Sequence, residues 1–258
     1  MTSTCETVAV GPAQIVARLK ALRDPRMRVL VLIHAFADGE PAMWVEALAT
    51  IITRAQLVDD ADASEVVQTL THAAADPALP YETRQALYEA AIERGLSAIA
   101  RLFLSASPAR PPGSTLTVER PLRAAGRPLS LGERKSLART HKRELLLLLI
   151  RDPHPDVVRI ILDNPHVTEQ EIVRIAAARP GVSASLSILA THPRWSVRHA
   201  VKRALVFNPA TPLADAIRIV TTLRRNELAE LSVDPALPEP LRRHAADVAA
   251  SSRRRPRA

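Results

Sequence analysis

The chain has 258 residues, with seven Gly, 21 Pro, one Cys and a formal net charge of +8. One Cys excludes a disulfide framework or a cysteine zinc site, scattered Gly exclude a Gly-rich phosphate loop, and no apolar stretch approaches the roughly 20 residues that span a bilayer. An apolar fraction of 47% with only 3% aromatics, and few alternating β-branched runs, fits an ordered helical protein rather than a β protein.

The first ten residues, MTSTCETVAV, lack a basic n-region and an apolar h-region. The expectation is a cytoplasmic protein with Cys5 as an unpaired thiol. Helical periodicity then begins. Segment 12–23 opens on Pro12, where a missing N–H is harmless at a helix start. Segments 26–37, 41–57, 63–75, 81–94 and 96–104 follow, punctuated by Gly39 and Pro41, by Pro77 and Pro80, and by Gly95. Residues 1–107 carry nine basic and 13 acidic side chains.

Residues 105–131 break the pattern, with five Pro and two Gly between Pro108 and Pro128. Such a stretch predicts an extended linker. Residues 108–142 hold eight basic and two acidic side chains, so this segment holds much of the excess charge. Helices resume over 130–139, 142–151, 155–163, 168–179, 183–191, 194–207, 212–223, 226–232 and 239–250. The tail adds Arg253, Arg254, Arg255 and Arg257. The predicted organisation is a helical region 1–107, a Pro/Arg-rich linker 108–131, helical repeats over 132–250, and a basic disordered tail 251–258. Of the 35 cations 31 are Arg, which together with abundant Ala and Pro points to coding bias and weakens any inference from the isoelectric point.

An internal repeat runs through the second half. Asp152-Pro153 is followed after 40 residues by His192-Pro193 and after another 42 by Asp234-Pro235. Leu stands three and six residues before each: Leu149 and Leu146, Leu189 and Leu186, Leu231 and Leu228. The letters DPALP occur at 76–80 and again at 234–238, and Asp24-Pro25 is a shifted copy. Between them Asn164-Pro165-His166-Val167-Thr168 and Asn208-Pro209-Ala210-Thr211-Pro212 recur at a spacing of 44. Asn and Pro end one helix, and Thr starts the next. A helical period of about 40–47 residues belongs to α-solenoids, whose units bury their apolar faces on each other.

The stretch 192–205, HPRWSVRHAVKRAL, resembles the second helix of a HEAT repeat, with Val197-Arg198, Ala200 and Ala204 in place and His192 where Asp is usual. The alternation with Asn-Pro-x-Thr turns also resembles the leucine-rich repeat variant. The resemblance covers 143–250 well and 10–104 loosely. It implies an all-α, α-solenoid fold. It also implies an Asp–Arg ladder along the stack, which would occupy Arg84, Arg159, Arg198 and Arg242. Some leucine-rich repeat variant proteins hold an iron–sulfur cluster on a Cys-rich segment, and with Cys5 alone that feature does not carry over.

Catalytic patterns are missing. No Gly is followed by Lys, the Gly-x-Ser-x-Gly elbow is absent, and no two of the eight His stand three or four residues apart as a helical metal site requires. Asp59, Asp60 and Asp62 read as a helix cap. No catalytic residue, metal or cofactor is expected. The best candidate for binding is Arg194, Trp195, Arg198, Lys202 and Arg203. If 194–207 is one helix, residues 194, 198 and 202 place three cations on one face, a row that invites an anionic partner. Trp195 either anchors that partner or fills the gap between two repeats. Trp44 reads as core. The favoured function is a non-catalytic scaffold that binds a protein partner on a concave face. The alternative is nucleic-acid binding through the linker, the tail and the Arg194–Arg203 face, with a HEAT-like DNA glycosylase built around Trp44 or Trp195 the least favoured.

Overall fold

The computed structural model describes residues 12–56, 60–104, 123–124, 127–152 and 154–251. Among them the chain forms α1 (Pro12–Lys20), α2 (Pro25–Asp38), α3 (Pro41–Ala55), α4 (Ala61–Ala75), α5 (Tyr81–Glu93) and α6 (Ser97–Leu102). A two-residue antiparallel pair follows, β1 (Arg123–Ala124) and β2 (Arg127–Pro128). Then come α7 (Leu131–Leu137), α8 (Arg143–Leu149), α9 (Pro155–Asp163), α10 (Glu169–Ala177), α11 (Ser183–Thr191), α12 (His199–Val206), α13 (Leu213–Val220), α14 (Arg225–Val233) and α15 (Glu239–Ser251). The protein is all-α in class. No helix among the described residues is long and apolar enough to cross a membrane. Cys5, residues 105–122 of the linker region and the tail arginines lie outside the described residues.

Several helices start where a side chain serves the unpaired amides of a first turn, among them α2, α4, α7, α10 and α14. The Asp24 carboxylate accepts the Arg26 N–H, with Pro25 in the first helical turn. Asp60 accepts the Ala63 N–H at 2.8 Å, and that bond, with Arg54 alongside, holds its carboxyl below the usual carboxylate range. At α7, α10 and α14 the Glu three residues on reaches back. Glu133, Glu171 and Glu227 accept the backbone N–H of Ser130, Thr168 and Arg224 at 2.8, 2.8 and 3.0 Å.

Five helices, α4, α8, α9, α11 and α12, end by a shared device. Asp76, Asp152, Asn164, His192 and Asn208 each donate their backbone N–H to the carbonyl three residues back, on Ala73, Leu149, Ile161, Leu189 and Leu205. Each precedes a Pro, which has no N–H to offer. The side chain then accepts the N–H of the residue after that Pro: Ala78, His154, His166, Arg194 and Ala210, at 2.8 to 3.3 Å. The sequence repeat therefore has a physical basis. It marks the positions where an acceptor side chain closes a turn across proline.

Two compact units result. Of the described residues, the first comprises 12–56, 60–104, 220–234 and 239–251. Residues 220–234 and 239–250, read in sequence within the C-terminal repeats, group with the N-terminal helices. Within this unit α4 packs against α1, α2 and α3; α5 packs against α3 and α6; and α15 packs against α14 and α6. Arg101 of α6 pairs with Asp247 of α15. Val45, Leu48, Ile51, Val67, Leu70 and Leu87 are fully buried. Phe36 meets Trp44 and Phe103 edge-on, at centroid distances of 5.0 and 6.0 Å.

Of the described residues, the second unit comprises 123–124, 127–152, 154–219 and 235–238. Here helices pack on their next-but-one neighbours: α7 on α9, α9 on α11, and α10 on α12. Two buried Asn side chains tie these pairs. Asn164, at the end of α9, donates its amide to the carbonyls of Ala138 and Thr140 just past α7, at 2.9 and 3.0 Å. Asn208, just past α12, donates to Ala176 and Ala178 at the end of α10, at 2.7 and 3.1 Å. Each Asn thus satisfies carbonyls that a helix end leaves without an internal partner. Replacing Asn164 or Asn208 by Ala strands two carbonyls and opens the turn, at a cost of about 2–3 kcal/mol each. Denaturant titration of the two variants checks this, and losses of only a few tenths would show that water replaces the amide without penalty.

Candidate partner-binding site

The binding residues expected from sequence cluster at the passage from α11 to α12. The single helix predicted over 194–207 is not formed. Residues 193–197 are turn, Arg198 has extended backbone (φ −76°, ψ 124°), and α12 begins at His199. The reason is the proline turn: the N–H groups of Trp195 and Ser196 both donate to the His192 carbonyl, at 3.2 and 3.0 Å, and Arg198 donates to Trp195 at 3.0 Å. Arg194, Arg198 and Lys202 therefore do not form a stripe on one helix. Only Arg198 and Lys202 keep the helical relation, through the Lys202 N–H on the Arg198 carbonyl.

Trp195 is 2% exposed. Its indole N–H donates to the Leu162 carbonyl in the last turn of α9, at 2.8 Å. Of its two expected roles, the structure places it in the core of this unit, where it fills space and caps a helix end. The Arg194 guanidinium lies over the outer face of the ring, 4.2 Å from its centroid, and is itself exposed. Arg198 is exposed and stands 4.0 Å from Glu169. Lys202 and Arg203 are half-buried, with the Arg203 guanidinium 4.7 Å from the Phe207 ring centroid. His192 reaches Asp163 at 3.1 Å. The exposed cations of this corner are thus Arg194 and Arg198, with two carboxylates, Asp163 and Glu169, beside them.

Three of the four arginines that the Asp–Arg ladder would occupy make the following contacts. Arg84 donates to the Asp76 backbone carbonyl at 3.1 Å, Arg159 meets Asp156 within its own turn at 3.5 Å, and Arg198 turns to Glu169. The carboxylate of the first repeat turn, Asp152, is fully buried and pairs with Arg134 of α7, whose Nη1 lies 2.6 Å from both carboxylate oxygens. No spacing in the sequence ties Arg134 to Asp152, so this pair could be found only from the packing of α7 against α9.

One buried carboxylate remains. Asp215 of α13 is pushed above the usual carboxylate range by burial, against the opposing pull of a Ser187 hydrogen bond and the Arg218 charge at 3.1 Å. Among the described residues no three His, Cys, Asp or Glu come together as a metal-binding group. Trp44 is buried as expected, with its indole N–H on the Ala35 carbonyl at 3.0 Å. No known protein family, curated protein or solved structure matches this chain.

Two outcomes follow from this geometry. Trp195→Ala removes a buried ring and a helix cap and costs about 3–5 kcal/mol in denaturant titration, whereas a purely surface Trp would cost far less. For Asp215 a raised carboxyl pKa means that the folded state holds its proton more tightly than the unfolded state. Its unfavourable contribution therefore grows as pH rises through the carboxylate range and persists above it. Asp215→Asn should raise the unfolding midpoint at pH 7 and leave it unchanged below about pH 3, where both states hold the proton, and a variant equally stabilised at both would point away from the carboxylate charge.

Proposed function

We propose that this chain is a non-catalytic helical-repeat protein that binds a protein partner through the corner ahead of α12. The repeat assignment, HEAT-like or leucine-rich repeat variant in type, is supported by the next-but-one packing of α7, α9 and α11 and by the equivalent ties of Asn164 and Asn208. In an α-solenoid each hairpin contacts only its neighbours and leaves an extended surface for a partner.

The observation that carries the binding role is Arg194 on Trp195. An exposed guanidinium resting on a buried, hydrogen-bonded ring is held in place before any partner arrives, which lowers the entropic cost of binding. Arg is also among the residues that dominate binding energy at interfaces. Arg198 extends the charge, and Lys202 and Arg203 flank it. Partners with acidic surfaces complement this corner.

The test is a pulldown from the native host with the full chain and with Arg194→Ala/Arg198→Ala, each with and without nuclease. Partners that survive nuclease and fall at least tenfold with the double variant, at an unchanged unfolding midpoint, support the proposal. Unchanged capture by the double variant would sink it. Loss of all partners on nuclease treatment would replace it with nucleic-acid binding, which then shows a log–log salt slope of about −0.9 per duplex phosphate contacted.

A further inference from the structure

The first unit contains a cavity of ≈ 290 Å³ between α1, α2 and α3. Its walls are apolar, formed by the buried Ile15, Leu19, Leu32, Trp44 and Ala47 and the partly buried Ala35. Three further lining residues, Arg18, His34 and Asp38, are exposed. The volume lies at the low end of ligand pockets, which run to about 300–1,000 Å³, so it admits a small molecule rather than a helix or a lipid chain pair.

The Trp44 wall is fixed before a ligand enters. Its indole N–H is committed to Ala35, and its ring is braced edge-on by Phe36, with the ring planes at 89°. Phe36 is braced in turn by Phe103. Gly39 makes this possible: a Cβ there would lie 2.2 Å from the indole nitrogen. Trp44 therefore offers the cavity apolar ring surface and no hydrogen-bond donor.

The charges lie on different elements. Arg18 comes from α1 and Asp38 from the last residue of α2, with His34 one turn before it on the same face. Among the described residues the side chains of Arg18, His34 and Asp38 make no hydrogen bond or ion pair with each other or with neighbours. A purely anionic head would be drawn to Arg18 and opposed by Asp38, and a purely cationic head the reverse. A ligand that carries both charges on an apolar body can answer both while filling the cavity. We infer that this cavity binds a small zwitterion with an apolar body, of the class of a branched or aromatic α-amino acid, its carboxylate on Arg18 and its ammonium on Asp38. This inference is independent of the partner-binding corner.

The test is isothermal titration calorimetry of the full chain with L-phenylalanine, 3-phenylpropanoate and 2-phenylethylamine. L-Phenylalanine should bind, and each single-charge analogue should bind at least about tenfold more weakly. Arg18→Ala should weaken L-phenylalanine and spare 2-phenylethylamine, and Asp38→Asn should weaken L-phenylalanine and spare 3-phenylpropanoate. Ala35→Leu should fill the cavity and abolish binding of L-phenylalanine at an unchanged unfolding midpoint. If that variant fails to fold, the two exposed charge changes decide the matter. No binding of L-phenylalanine, or an analogue that binds as tightly, overturns the inference.

Discussion

A helix that ends ahead of proline meets a fixed difficulty. The proline has no N–H, so the first amide beyond the turn must find an acceptor nearby or be left to water. In this chain the acceptor is the side chain just before the proline, and the same solution is used at Asp76, Asp152, Asn164, His192 and Asn208. What differs is the use made of the rest of the side chain. Asn alone has two donors left over, and Asn164 and Asn208 both send them to carbonyls at the end of a neighbouring helix. Asp has no donor, and Asp152 instead recruits Arg134, a pairing that the full burial of the carboxylate requires. His192 turns its second nitrogen to Asp163. Five helix ends, the ties of α9 to α7 and of α12 to α10, and the turn that carries Trp195 use this one corner.

Much of the helical layout was legible because the corner is written in local letters. An acceptor, a proline and a following Thr or Pro fix one helix end and the next start within five residues, as at 164–168 and 208–212. The passage 194–207 was not legible. Nothing between Pro193 and His199 is a strong breaker, and Arg198 makes no side-chain cap bond, so helical periodicity alone runs through it. The extended backbone at Arg198 belongs to the turn that seats Trp195 against α9, which is a tertiary demand. Arg134 was invisible for the same reason, since its partner is chosen by packing across 18 residues. The cavity of the first unit needs α1, α2 and α3 brought together. From sequence Trp44 could be read as core, but the open charges of Arg18 and Asp38 around it could not.

The candidate surface inherits its rigidity from the same corner. Trp195 caps α9 with its N–H, fills the core with one face and supports Arg194 with the other. Charge presented on such a ring is held beside a fixed part of the core. The acids beside it, Asp163 and Glu169, temper the local potential. Recognition there depends on placement more than on net charge, which in this chain is weighted toward the linker segment and the tail.

The dependence of helix pairing on the buried Asn side chains can be read directly by native-state hydrogen exchange of the Asn208→Ala protein. If Asn208 couples α10 to α12, the amides of both helices lose protection together, while those of α2 to α5 keep theirs. Loss confined to the few amides around Ala210, or loss spread equally over both units, would contradict that coupling.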